Sequence, residues 1–335
     1  MKALITVPQD SIFDTFFTKE NIELANSLGE MVWNDKAEHF TEDEVKEKIK
    51  DCEVYVTSWG SPALTKEILD AAPNLKILVH LCGTVKPFVS DEMWERGIRV
   101  ISGNEYFAES VAEGTIAYML SSLRKLNLYH NRLTKEKIWK TDFDTTDSLI
   151  YKTVGIISYG AIAKFLVKML KPFNVKIKVF DIVDIPDDDK ENYGIEQCSM
   201  EEIFSSCDIV SVHTPLNDHT YHLINEKHFS LMKKGSLFVN TSRGAVVDEK
   251  ALIKHLINKE FNAALDVFEE EPISADNPLL ELENVFLQPH KGGPTTNLRQ
   301  VITKELLLEA KSYVDENKEL KNEITKNRAM NMSES

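Results

Sequence analysis

Thr153-Val-Gly-Ile-Ile-Ser-Tyr-Gly-Ala-Ile-Ala163 decides how this chain is read. A β-branched run enters a tight turn, and the turn opens a helix. In a dinucleotide-binding fold the first of three loop positions makes the turn and the second lets a pyrophosphate approach the backbone. The third lets helix and strand pack closely. Here those positions hold Ser158, Gly160 and Ala163. Alanine is an accepted variant at the third. Serine at the first is a departure, tolerable if its backbone stays in a region open to non-glycine residues. Gly160 is kept where helix N–H groups can face an anion, and Tyr159, Ala161 and Ile162 complete the expected cofactor loop. Alone, the motif fits a purely structural strand–turn–helix equally well.

Asp181 tips that balance. It follows the next apolar run, 21 residues after Gly160, where an acidic side chain accepts hydrogen bonds from the adenosine ribose hydroxyls. No arginine follows in Ile182-Val-Asp-Ile185, so a 2′-phosphate would meet repulsion. Loop and acid together predict NAD rather than NADP.

Outward from this point, short apolar runs alternate with helical patterns in both directions. Strands are expected at 3–7, 54–57, 77–80 and 99–101, with helices at 19–28 and 41–50; Thr41 and Glu44 have capping-box spacing. A long helix at 108–126 carries Val111, Thr115, Met119 and Leu123 on one face. Further strands fall at 154–158, 176–180, 209–213, 237–240 and 263–267, and a charged helix at 297–318 precedes a polar, frayed end at 326–335. Such alternation favours parallel sheets covered by helices, because parallel strands need a crossover to return. The expected class is therefore α/β, with two Rossmann-like or flavodoxin-like domains and a cleft between them. A discontinuous domain spans 1–102 plus 289–335, and a nucleotide-binding domain spans 103–288.

Length and composition agree with this. At about 150 residues per domain, 335 residues suggest two domains. Against 39 Lys and Arg stand 54 Asp and Glu, a net charge of −15 that repels phosphate backbones and anionic lipid heads. Nucleic acid and membrane surfaces are thus not expected partners. The longest uncharged run, 54–65, is too short to span a bilayer, and the first residues lack signal-peptide features. Cys52, Cys82, Cys198 and Cys207 have neither metal-ligand spacing nor the density of a disulfide scaffold, so no metal and a cytoplasmic location are expected.

Three later segments sit at strand ends, where open α/β sheets place ligands. They are Val239-Asn-Thr-Ser-Arg-Gly-Ala-Val-Val-Asp248, Ala264-Leu-Asp-Val-Phe-Glu-Glu-Glu-Pro272 and Gln288-Pro-His-Lys-Gly-Gly-Pro-Thr295. In this order, with Val212-His-Thr-Pro-Leu216 and Val111-Ala-Glu113, the chain resembles the D-isomer-specific 2-hydroxyacid dehydrogenases over nearly its whole length.

The resemblance implies that Arg243 grips a substrate carboxylate and polarises the carbonyl, a task suited to a planar, permanently charged donor. It implies that Glu271 pairs with His290, whose imidazolium it stabilises, and that His290 exchanges the proton as hydride moves to or from the nicotinamide. Thr214, Pro215, Thr241, Ser242, Asp266 and Gly292 would line the cofactor, with Asp266 at the nicotinamide end, while His213 is read as structural. Gly83, Thr84, Val85 and Lys86 would hold the substrate carboxylate. Lys86 stands where the family usually has an aspartate, and with Lys291 it suggests a substrate carrying an additional anionic group. The resemblance also implies a homodimer with the long helix near residue 108 at its interface. The expected activity is interconversion of a small D-2-hydroxy acid and its 2-oxo acid. A catalytically idle NAD(H)-sensing protein of the co-repressor type is the alternative, and a formate- or phosphonate-type dehydrogenase a third.

Overall fold

The computed structural model describes residues 1–139 and 146–333. It forms two compact units, one from Met1–Phe107 with the segment beginning at Pro294, the other from Ala108–Gly293. Each junction lies a few residues beyond the boundary read from the sequence.

The first unit is built on five parallel strands, β1 (Lys2–Ile5), β2 (Glu30–Trp33), β3 (Val54–Thr57), β4 (Ile77–His80) and β5 (Arg99–Ser102), in the order β2-β1-β3-β4-β5. Every residue of β3 and β4 is buried, as strands covered on both faces require. β2 was not anticipated. It is an edge strand whose residues are only partly buried or exposed, so it carries no continuous apolar signal. The capping box forms as its spacing predicted. Thr41 Oγ1 accepts from the Glu44 N–H, and the Glu44 carboxylate accepts from the Thr41 N–H at 2.9 Å. Helix Thr296–Glu316 buries Ile302, Leu306, Leu307 and Ala310 against Val54, Val56 and Ile77.

The expectation of a frayed end at 326–335 is overturned as far as residue 333; 334 and 335 lie outside the described residues. Lys326–Met330 is helical, Thr325 caps it by accepting from the Arg328 N–H, and Ala329 is buried. Arg328 pairs with Glu105 and Lys326 with Asp91, while Thr84 Oγ1 donates to the Ser333 carbonyl at 2.7 Å. Polar composition concealed a cap followed by apolar residues that reach the core.

The second unit holds seven parallel strands, β6 (Thr153–Ile157), β7 (Lys176–Phe180), β8 (Ile195–Gln197), β9 (Ile209–Val212), β10 (Leu237–Asn240), β11 (Asn262–Leu265) and β12 (Val285–Leu287), in the order β12-β11-β10-β9-β6-β7-β8. The chain leaves β6 towards β7 and β8, then returns to β9 on the other side. That reversal is a topological switch point, and a ligand crevice opens at the carboxyl ends of such strands. β8 and β12, three residues each at the two edges, escaped the sequence reading. The long helix runs Asn104–Leu123, four residues earlier than expected, and a separate helix follows at Leu126–Asn131. Thr115 and Met119 are buried as anticipated, but so are Ala108, Ala112 and Tyr118, so burial extends beyond one stripe. Among the described residues no helix is long and apolar enough to cross a membrane, and no group of His, Cys, Asp or Glu is placed to hold a metal ion.

Candidate active site

The residues singled out in the second unit gather along the carboxyl edge of its sheet. After β6, Ser158 adopts φ +76°, a left-handed backbone. The condition for tolerating serine is therefore not met. Its amide donates to the Phe180 carbonyl at 2.8 Å, and its hydroxyl lies 2.9 Å from that of Thr214. Gly160 caps helix Ala161–Leu170 with extended backbone, so torsion does not require glycine there. A Cβ on Gly160 would meet nothing within 4 Å, so the helix N-terminus opens onto free space, as a bound pyrophosphate requires. Ala163 is fully buried beneath it.

At φ +76° alanine carries the same strain as serine without the hydroxyl bond, whereas glycine carries none. Ser158→Gly is expected to be more stable than Ser158→Ala by about 1 kcal/mol. Urea unfolding of the two variants tests this; equal midpoints would mean the turn is not left-handed in solution.

Asp181 follows β7. Its carboxylate accepts from the amides of Tyr159, at 2.6 Å, and Val183, at 2.9 Å, which ties the acid to the loop before any ligand arrives. The Tyr159 ring is buried, with the Lys164 ammonium 5.8 Å from its centroid, while Ala161 and Ile162 are half-buried. After β9, Thr214 is buried and half-buried Pro215 accepts from Thr220 through its carbonyl. His213 Nε2 sits 2.9 Å from Ser211 Oγ, and burial pushes the imidazole down to about 3. Burial thus favours the neutral form of this ring.

Arg243 follows β10 in a turn that Asn240 organises. Asn240 Oδ1 accepts from both the amide and the hydroxyl of Ser242, and Nδ2 donates to the Arg243 carbonyl at 3.0 Å. The Arg243 guanidinium donates to the Ser242 carbonyl at 2.8 Å. Burial pushes its pKa down and the Glu271 charge opposes that shift. Thr241 is buried, its hydroxyl 3.0 Å from that of Thr115. Gly244 allows the turn to touch the next one, since a Cβ there would lie 1.9 Å from the Phe268 carbonyl carbon.

Glu271 lies on that next turn, after β11. Its Oε1 accepts from the Phe268 amide at 3.0 Å, and Oε2 lies 2.7 Å from Nδ1 of His290. His290, after β12, has φ +53° and donates its amide to the Asp266 carbonyl at 2.8 Å. Asp266, only 2% exposed, is the hub of this segment. Its carboxylate accepts from the amides of Lys291, at 2.7 Å, and Gly292, at 2.8 Å, and from the Tyr118 hydroxyl at 3.1 Å. Expected beside a cofactor, Asp266 is thus engaged in holding the His290 loop. Asn240 and Tyr118 were missed by sequence reasoning; an amide-bearing residue at a strand end before a polar turn was the signal available for Asn240.

The substrate-loop candidates belong to the first unit. Gly83 and Thr84 are half-buried, Val85 is buried, and Lys86 begins a short helical turn, Lys86–Phe88.

Residues 116–292 match the family model described as D-isomer specific 2-hydroxyacid dehydrogenase, NAD binding domain. A glyoxylate reductase from Korarchaeum cryptofilum is 34% identical over 275 residues, covering 80% of this chain and 81% of that protein. The chain belongs to the D-isomer-specific 2-hydroxyacid dehydrogenase family. A hydroxypyruvate reductase from Thermotoga maritima is 31% identical, covering 81% of this chain and 88% of the relative. Among solved structures, the D-lactate dehydrogenase from Aquifex aeolicus complexed with NAD and lactic acid aligns with a TM-score of 0.70 at 27% identity, covering 94% of this chain and 95% of that one. As a family member the chain is an NAD-dependent oxidoreductase acting on the CH–OH group of 2-hydroxy acids.

Proposed function

We propose that this dehydrogenase interconverts a small D-2-hydroxy acid and its 2-oxo acid, with Arg243 binding the carboxylate and the Glu271–His290 pair moving the proton. The observation that carries this is the 2.7 Å contact between His290 Nδ1 and Glu271 Oε2. With Nδ1–H donated to a carboxylate, Nε2 is the nitrogen that gives a proton to the carbonyl oxygen and recovers it from the alcohol. Bound NAD supplies or accepts the hydride. Gly160 at its helix N-terminus and Asp181 after β7 hold the pyrophosphate and ribose, with Tyr159, Ala161, Ile162, Thr214, Pro215, Thr241, Ser242 and Gly292 around them. Gly83, Thr84, Val85 and Lys86 of the first unit bind the substrate carboxylate. The test is NADH oxidation with glyoxylate, hydroxypyruvate, pyruvate and 2-oxoglutarate. Turnover with one or more supports the assignment. NADH binding without turnover favours the idle NAD(H) sensor, the reading to which strained Ser158 lends support.

The active form we propose is a cytoplasmic homodimer. Four unbridged cysteines fit a reducing compartment. Leu126, Leu133, Ile138 and Trp139 are all exposed, Trp139 to 78%, and these apolar residues follow the long helix in the chain. Light scattering is expected to give twice the chain mass for the wild type and the monomer mass for Leu133→Glu. A monomeric wild type removes the proposal.

A further inference from the structure

The carboxyl edge of the first unit's sheet carries an arginine for which no acidic partner is found among the described residues. Arg299, on helix Thr296–Glu316, sits against a pair of touching aromatic rings, its guanidinium carbon 5.0 Å from the Trp59 centroid and 5.7 Å from that of Phe16, with the two centroids 5.7 Å apart. One terminal nitrogen donates to Thr15 Oγ1 at 3.3 Å, and buried Nε has no partner. Burial pushes the guanidinium's pKa down, opposed only by Cys82, whose thiol burial holds in its neutral form. A half-buried cation with an unsatisfied buried nitrogen and no counter-charge is a natural place for an anion to dock.

The surroundings locate that anion. Phe16 lies beyond β1, Trp59 beyond β3, Gly83 beyond β4 and Phe107 beyond β5, so four neighbouring strands deliver them to one edge. Trp59 is 40% exposed and meets Phe107 edge-on at 6.0 Å, and the Phe107 ring would lie 3.4 Å from a Cβ on Gly83. An aromatic ladder thus runs from the substrate-loop candidate to the guanidinium. Lys291, one of the two lysines first suspected of selecting an extra charge, is exposed.

We propose that Arg299, seated against the Trp59–Phe16 pair, is the subsite for a second anionic group, carboxylate or phosphate, at the far end of a 2-oxo acid substrate. This deepens the assignment above and rests on it for the role of the Gly83 loop.

Three substrates and two variants test it. The substrates are 2-oxoglutarate, 3-phosphohydroxypyruvate and 2-oxopentanoate, the last a neutral chain of the same length as the first. Arg299→Met keeps an apolar stem against the rings and removes the charge, while Arg299→Lys keeps the charge. The methionine variant should lose about 10- to 100-fold in kcat/KM for the charged acids, mainly through KM, with 2-oxopentanoate unchanged and partial recovery in the lysine variant. The acid that loses more identifies carboxylate or phosphate. Equal losses for charged and neutral acids would mean Arg299 only packs the rings, and no loss at all would equally overturn the subsite. If no 2-oxo acid is turned over, the functional assignment fails instead, and the subsite is read by melting temperature. 2-Oxoglutarate or 3-phosphohydroxypyruvate should then raise that of the wild type but not of Arg299→Met; no rise in the wild type overturns the proposal.

Discussion

His290→Ala is expected to reduce kcat by about 10³-fold, within the range that general acid–base groups supply, with NADH binding little changed. The expectation rests on how many independent contacts fix this ring. The backbone is anchored to the Asp266 carbonyl, Asp266 in turn binds the next two amides, and Glu271 receives Nδ1–H. Glu271 is itself fixed through the Phe268 amide, so the imidazole points Nε2 in one direction rather than sampling several. Because His290 sits at φ +53°, alanine also adds backbone strain and could lower activity through the loop alone. His290→Asn removes that ambiguity, since asparagine tolerates the left-handed region but cannot serve as the acid. Both variants should be equally inactive, with the asparagine variant melting closer to wild type. Glu271→Gln, which keeps a hydrogen-bond acceptor but no charge, should fall less, by about 10²-fold. Steady-state NADH oxidation and calorimetric titration with NADH provide the readouts. Substantial turnover in His290→Asn would take the proton-transfer role away from this residue.

What the sequence revealed, and what it hid, follows from the range of the interactions involved. Buried strands such as β3 and β9 announce themselves because both faces need apolar residues over several positions. Edge strands β2, β8 and β12 do not, since partial exposure permits charged and polar residues and pairing alone holds them. Within the site, Arg243, Glu271 and His290 were legible through the motifs around them, and Glu271 does meet His290 across 19 residues of chain. The groups that orient them were harder to see. Asp266 was expected beside the cofactor, and its grip on the amides of Lys291 and Gly292 depends on contacts across 25 and 26 residues of chain that no local pattern announces. Ser158 shows the same limit for torsions. Its position in the loop was plain, but its φ is set by the crossing of β6, β7 and the Thr214 segment. Arg299 belongs with these cases: an arginine in a charged helix resembles any surface cation until the fold sets it against a pair of aromatic rings.

Arg243→Lys is the second large effect, with kcat/KM for any 2-oxo acid expected to fall about 10²- to 10⁴-fold. The turn delivers the guanidinium already oriented. Asn240 fixes the backbone on both sides of Ser242, Arg243 binds the Ser242 carbonyl, and Gly244 presses the turn against Phe268. Burial works against the charge, yet an arginine begins so far above neutrality that it stays protonated, with Glu271 supporting it. Lysine changes both terms. Its ammonium offers one point of contact where the guanidinium offers a planar pair, and desolvation pulls an amine towards neutrality far more readily. Two charge-assisted hydrogen bonds at about 1.5–3 kcal/mol each account for the expected range. NADH affinity should be unchanged, because Arg243 is assigned to the substrate rather than the cofactor. Free guanidinium added to Arg243→Ala should restore part of kcat/KM, a response that damage to the turn would not give. If Arg243→Lys retains activity within a few-fold of wild type, the planar two-pronged grip is not how this enzyme holds its acid, and the positive charge alone is sufficient.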